Sequence, residues 1–209
     1  MTATQDLVLH TADGCVLEAE FRAAARPGRP VAIVLCHPHP LYGGTMRSIV
    51  VSALFDAMPG RGCACLRFNF RGVERSTGEH SGGRDEPLDV LAAVDEILVL
   101  VPGATVVVAG WSFGGDMALS VTDGRLAGWV AIAPPLRFRG DGFGEVAQDE
   151  RPKHFVLAQH DEIRSPDEVA REVASWTHTT VDVVAGASHF FVGRTDRVVD
   201  ATARFVATL

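Results

Sequence analysis

The sequence predicts an α/β fold, a mostly parallel sheet with helices on both faces, in one domain spanning 1–209. Three observations predict it. Short apolar, β-branched runs alternate along the chain with segments whose apolar residues recur at helical spacing. The first two runs are separated only by Ala12-Asp13-Gly14, a turn signal that makes them a hairpin at one sheet edge. At 209 residues, with no internal repeat, low-complexity tract or linker, the chain suits a single core.

Strands are expected near 6–11, 15–23, 31–36, 63–70, 105–110, 128–133, 154–159 and 180–184. A helix over 45–58 places Met46, Ile49, Val50, Ala53, Leu54 and Ala57 on one face, and Pro59-Gly60 ends it. The next helix, 87–100, carries Pro87 in its first turn, with Asp85 and Glu86 placed to favour the positive end of the helix dipole. A third is expected over 113–122. Ser165-Pro166-Asp167-Glu168 is a capping box that starts a fourth helix running to about Trp176. The last, about 195–207, buries Val198, Val199, Phe205 and Val206, with Thr202 between the two pairs. Arg137 to Gly144 form one glycine-rich loop. It neither follows a strand nor leads into a helix, so its G-x-G-x-G spacing is a weak phosphate-binding signal.

Composition narrows the function. A hydrophobic fraction of 47% and a charged fraction of 22% are ordinary for a soluble domain. A net charge of −7, a single lysine at Lys153 and no dense basic block argue against a nucleic-acid partner. The first residues lack a signal peptide's basic segment and apolar core. No apolar stretch approaches the roughly 20 residues needed to span a bilayer. A cytoplasmic protein without a membrane partner is the expectation. Cys15, Cys36, Cys63 and Cys65 show no metal-binding spacing; Cys63 and Cys65 alternate along one strand and share a face, so all four are expected to be reduced packing residues. No metal or organic cofactor is expected. The exposed faces carry no heptad or apolar stripe, which leaves the oligomeric state open.

The chemistry centres on Gly110-Trp111-Ser112-Phe113-Gly114, which directly follows the strand-like run Val106-Val107-Val108-Ala109. A Gly-x-Ser-x-Gly at a strand end reads as a nucleophile elbow. The chain must turn sharply there to lift a serine hydroxyl clear of the sheet, and side chains two positions away would clash. A serine hydroxyl needs a general base, usually a histidine that a carboxylate orients. His189, just past the last strand, lies at the carboxyl edge of the sheet, where catalytic loops collect in open α/β folds. Asp161 follows the strand His154–Gln159 and reaches the same edge. Asp167 and Glu168 are explained by the capping box, and Glu162 is expected to point away from an inward-facing Asp161. The order Ser112, Asp161, His189 is that of an α/β-hydrolase triad.

An oxyanion hole needs two backbone N–H donors. One is expected from Phe113. The other is expected from the loop His37-Pro38-His39-Pro40-Leu41-Tyr42-Gly43-Gly44, where Pro38 and Pro40 have no N–H to give. His39, Leu41 and Tyr42 remain, with His39 or Leu41 favoured, while His37 and His39 read as braces of a rigid proline turn. Tyr42, Trp111, Phe138 and Phe190 are candidate substrate-binding aromatics. Arg67, Asn69 and Arg71 alternate with Leu66, Phe68 and Phe70, so they are expected to share a strand face and form structural ion pairs.

Two longer motifs sharpen the picture: His37-Pro38-His39-Pro40-Leu41-Tyr42-Gly43-Gly44-Thr45-Met46, and Leu66-Arg67-Phe68-Asn69-Phe70-Arg71-Gly72-Val73 with Ser76. With them the whole chain resembles the small predicted hydrolases of the α/β-hydrolase superfamily. The resemblance implies an eight-stranded sheet and a Ser-Asp-His triad at Ser112, Asp161 and His189. It also departs from the superfamily pattern, because only about twenty residues separate Ala133 from the next strand and leave no room for a lid. The expected activity is hydrolysis of carboxylic esters or thioesters, with a small-molecule acyl substrate. A serine peptidase is the alternative within enzymes, and a non-catalytic hydrolase-fold binding protein the alternative outside them. A perhydrolase side activity is compatible with the same triad.

Overall fold

The computed structural model describes residues 2–26, 28–138 and 142–209. A hairpin of β1 (Gln5–His10) and β2 (Val16–Arg22) starts an eight-stranded sheet. It continues with β3 (Val31–Cys36), β4 (Cys63–Phe68), β5 (Thr105–Trp111), β6 (Leu126–Ile132), β7 (Lys153–His160) and β8 (Thr179–Ser188). Across the sheet the order is β1-β2-β4-β3-β5-β6-β7-β8. The hairpin is antiparallel within itself and to β4, and every other pair is parallel.

The central register positions the functional end. Cys36 pairs with Gly110, and Gly110 with Ala131, so β3, β5 and β6 finish side by side. The segments after them, at 37–44, 112 and 133–138, therefore emerge together at the carboxyl edge.

Six α-helices cover the described sheet: α1 (Ile49–Ala57), α2 (Glu86–Leu100), α3 (Phe113–Leu119), α4 (Gly144–Gln148), α5 (Pro166–Val173) and α6 (Thr195–Val206). Successive strand residues point to opposite faces, so each central strand feeds two cores. Ile33, Val107 and Val156 meet Leu54 and Phe55 of α1 and Val198 and Phe205 of α6. Val34, Val108 and Phe155 meet α2, α3 and α5 through Val94, Met117 and Val169. Cys63 and Cys65 share the α1 side, as the alternation predicts, and all four cysteines are free thiols. Burial pushes the Cys63 thiol up to about 11.

Several local expectations are corrected. Helix α1 starts at Ile49 rather than 45, because residues 45–48 form a turn. There Ser48 Oγ accepts the Thr45 N–H at 3.1 Å, and Asn69 Oδ1 accepts the Met46 N–H at 2.8 Å. Met46 is still buried, but from the loop. The helix face turned inward is Val50, Val51, Leu54 and Phe55, leaving Ile49 44% exposed. Helix α5 has the expected capping box but stops at Val173, and Trp176 folds back against the rings of Phe143 and Phe155. Glu86 does not merely face the helix dipole. It is buried, and its carboxylate accepts the Ser81 and Gly83 N–H groups and the Ser81 hydroxyl.

Strand β4 ends at Phe68, so Arg67, Asn69 and Arg71 do not share one face. Arg67 lies over the Phe55 ring and pairs with Glu20 at 2.6 Å. Past the strand end Arg71 turns to the other face, where it grips the buried Asp89 of α2 at 2.7 Å and also reaches Asp13 at 2.8 Å. The short α4 was not foreseen from the sequence. Of the glycine-rich loop before it, Arg139, Gly140 and Asp141 lie outside the described residues. Among the described residues no helix is long and apolar enough to cross a membrane.

Candidate active site at the carboxyl edge of the sheet

Ser112 occupies the turn from β5 into α3 with φ 55° and ψ −123°, a conformation that L-residues adopt only under constraint. The constraint is visible. A Cβ on Gly110 would lie 2.0 Å from Gly114 O, and one on Gly114 would lie 2.3 Å from Cys36 O. Only glycine lets the chain fold back so closely on itself and on β3. The Ser112 N–H donates to Ile132 O at 2.8 Å, tying the turn to β6.

His189 sits directly after β8. Its carbonyl accepts the Trp111 indole N–H at 3.1 Å, and its N–H donates to Glu162 Oε2 at 3.2 Å. Glu162 thus reaches back into the site rather than pointing away, a role the sequence did not disclose. The imidazole bridges two groups: Nε2 is 3.0 Å from Ser112 Oγ, and Nδ1 is 2.8 and 3.0 Å from the two Asp161 oxygens. An ionised carboxylate only accepts, so Nδ1 carries the proton and Nε2 is free to receive the serine hydroxyl. Asp161 is held in turn, because its Oδ1 accepts the Ile163 and Arg164 N–H groups at 2.9 and 3.2 Å. The His189 and Asp161 side chains are 3% and 4% exposed, which shields their bond from competing water. Such a chain can withdraw a proton from the hydroxyl while the carboxylate supports the imidazolium.

The loop after β3 is braced by its own histidines. His37 is fully buried; its Nδ1 donates to Pro38 O at 2.6 Å and its Nε2 accepts the Phe70 N–H at 3.0 Å. Burial holds its pKa down to about 3, so the ring stays neutral. His39 Nδ1 accepts the Leu41 N–H at 3.2 Å, while Tyr42 and Gly44 donate to His39 O and Gly43 to Pro40 O. The Leu41 and Tyr42 amides are therefore engaged inside the loop. The His39 N–H has no acceptor among the described residues, and neither does that of Phe113, the first residue of α3.

Asp116 was missed by the sequence reading. It is buried in α3, with Oδ1 accepting the Leu136 N–H at 2.9 Å and Oδ2 those of Arg137 and Phe138 at 2.8 and 3.0 Å. Desolvation still raises its pKa to about 6. The signal was present: a carboxylate among the small and apolar residues of α3 needs a built-in set of donors. By holding the segment after β6, Asp116 pulls Phe138 inward against Phe113 and His39, at ring distances of 5.1 and 5.0 Å. Phe138 is thus a support behind the groove and not part of its lining. Trp111, Tyr42 and Phe190 do line it, together with Ile49, Ile163, Arg137 and Ser112, in a groove of about 680 Å³. Among the described residues no cluster of three His, Cys, Asp or Glu side chains is arranged to hold a metal ion.

No family model matches the chain. It is 32% identical over 203 residues to an uncharacterized protein of Rickettsia prowazekii, covering 92% of this chain and 85% of that one. Among solved structures it is similar to an α/β serine hydrolase homologue from Coxiella burnetii, at 31% identity, 98% of each chain and a TM-score of 0.84. It is also similar to an α/β serine hydrolase without a lid from Xanthomonas campestris, at 26% identity, 100% of this chain, 95% of that one and a TM-score of 0.87. Only 20 residues, 133–152, join β6 to β7 here, and the described ones among them hold nothing larger than α4. With that sheet, that strand-to-helix turn and 31% identity to the Coxiella protein over 98% of each chain, the protein belongs to the α/β serine hydrolases, in a lidless form.

Proposed function

We propose that the protein hydrolyses small carboxylic esters or thioesters through an acyl-enzyme, with Ser112 as nucleophile, His189 as general base and acid, and Asp161 as the group that orients His189. The reading rests on one observation above all: the unbroken hydrogen-bond chain from Ser112 Oγ through His189 to Asp161. Three residues separated by up to 77 positions meet in the order that proton transfer requires.

Ser112 Oγ attacks the substrate carbonyl as His189 Nε2 takes its proton. The tetrahedral oxygen is received by the N–H groups of Phe113 and His39, each worth about 3 kcal/mol to the transition state. His189 then gives its proton to the leaving alcohol or thiol, leaving the acyl group on Ser112. Water entering from the lidless face attacks the acyl carbonyl as His189 takes its proton, and His189 returns that proton to Ser112 Oγ as the acid leaves. Trp111 and Glu162 hold the His189 backbone, so the ring turns little between these two duties. The open groove of about 680 Å³ suits a small, soluble acyl substrate.

A fluorophosphonate probe tests the assignment. Labelling of the wild type and its loss in Ser112→Ala are expected. Labelling at another serine, or none in folded wild type, would overturn it.

A further inference from the structure

We propose that Arg137 is a specificity-determining residue that receives an anionic group of the substrate, a carboxylate or phosphate carried a few bonds from the scissile carbonyl. This rests on the hydrolase reading above and names its substrate class.

The charge pattern around the groove carries the inference. Most arginines of the protein are paired with acids: Arg67 with Glu20, Arg71 with Asp89, Arg164 with Glu172, Arg125 with Asp95 and Asp123. Arg137 lines the same groove as Ser112 and His189, yet its guanidinium has no carboxylate or hydrogen-bond acceptor among the described residues. Among the described residues it is also the one Arg or Lys lining that groove. Glu162, the acid across the groove, uses an oxygen to hold the His189 N–H and makes no ion pair with Arg137.

The cation is placed, not loose. Its own N–H is fixed at 2.8 Å to the buried Asp116 carboxylate, and its guanidinium lies over the neighbouring Phe138 ring at 5.1 Å. It is close enough to His39 to help hold that imidazole below its ordinary pKa, behind desolvation and His80. His39 supplies the loop amide proposed for the oxyanion, so Arg137 stands beside the reaction centre.

Much of the remaining wall is apolar, from Tyr42, Ile49, Trp111, Ile163 and Phe190, beside the polar His39, Ser48 and Glu162. A groove with largely apolar walls and, among the described residues, one planar cation without an acid partner suits an ester with a short hydrocarbon spacer and an anion at its end. A guanidinium matches carboxylate and phosphate geometry with two parallel hydrogen bonds.

The experiment compares wild type, Arg137→Gln and Arg137→Lys on esters matched in length and leaving group. 4-Nitrophenyl hemiglutarate supplies a carboxylate at the end of the acyl chain, 4-nitrophenyl 4-(phosphonooxy)butanoate supplies a phosphate there, and 4-nitrophenyl pentanoate is the neutral partner. Arg137→Gln is expected to lower kcat/KM at least tenfold on one anionic substrate and less than twofold on the pentanoate. Which anionic arm responds identifies the source of the anion. Arg137→Lys should restore part of the loss, and added salt should weaken the anionic preference of the wild type.

Equal losses on neutral and anionic esters, or none on either anion, overturn the proposal while leaving the hydrolase reading intact if the fluorophosphonate still labels Ser112. Binding of monomethyl glutarate and of inorganic phosphate to Ser112→Ala, followed at the Trp111 indole N–H by NMR, gives a readout independent of turnover. Binding that Arg137→Gln abolishes supports the anion site even if hydrolysis fails. Absence of binding to both anions overturns it.

Discussion

His37 gives the fold a built-in weakness to acid, and its size follows from the structure. Both ring nitrogens are occupied in one sense only, Nδ1 donating to Pro38 O and Nε2 accepting from Phe70 N–H. A second proton would have to sit on Nε2, facing an N–H in a site with no exposure to water. The folded pKa is accordingly about 3, against 6.5 for the ordinary side chain. The sign is unambiguous: below 6.5 the unfolded chain binds a proton that the folded one refuses, so stability is complete above 6.5 and declines as pH falls toward 3. Between pH 7 and pH 5 this single group removes about 2 kcal/mol. His39 and His154, also lowered by desolvation, act in the same direction. Asp116, raised to about 6, acts in the opposite one, because the fold binds its proton before the unfolded chain does.

The comparison that isolates His37 is urea unfolding of wild type and His37→Gln at pH 7, 6 and 5, since the other groups titrate in both proteins. The wild type should lose about 2 kcal/mol more than the variant between pH 7 and 5. Parallel losses in the two proteins would refute the reasoning. So would an NMR spectrum in which the His37 ring is doubly protonated at pH 5.

Asp161→Asn should leave the fold and KM nearly unchanged while lowering kcat by about three to four powers of ten, because the imidazole is then held in the wrong tautomer; steady-state kinetics on a 4-nitrophenyl ester reads it. Gly114→Val should lose about 3 kcal/mol of unfolding free energy, since even its Cβ would fall 2.3 Å from Cys36 O and 2.5 Å from His37 O, both backbone atoms. Arg71→Met should cost about 3–5 kcal/mol by leaving Asp89 buried without its partner, and adding Asp89→Leu should recover much of that loss. Thermal or urea denaturation checks both.

How far the sequence could be read depended on the range of the forces involved. The β-branched runs, the Ala12-Asp13-Gly14 turn and the Ser165–Glu168 capping box are local signals, and the elements they mark formed within a few residues of the expected limits. The glycines around Ser112 were legible for the same reason, since a sharp strand-to-helix turn admits little else. The inward face of α1 was misjudged because Asn69, distant in sequence, captures the Met46 N–H and delays the helix. The alternation through Arg67, Asn69 and Arg71 failed where β4 ends and Arg71 is drawn to Asp89.

Ser112, Asp161 and His189 could each be placed at a strand end from sequence, and so expected at one edge of the sheet. That their side chains meet within hydrogen-bond distance was decided by strand order and register, which no local pattern encodes. The same holds for Asp116, Glu162 and Arg137. A carboxylate in a helix or an arginine in a loop reads alike in sequence whether it is paired or free. Only packing settles which amides the carboxylate must satisfy, and which cation faces the groove with no acid partner among the described residues. The sequence alone determined a strained serine at the end of a central strand of an α/β sheet. The tertiary structure decided what surrounds it, because burial and pairing are properties of residues brought together from distant parts of the chain.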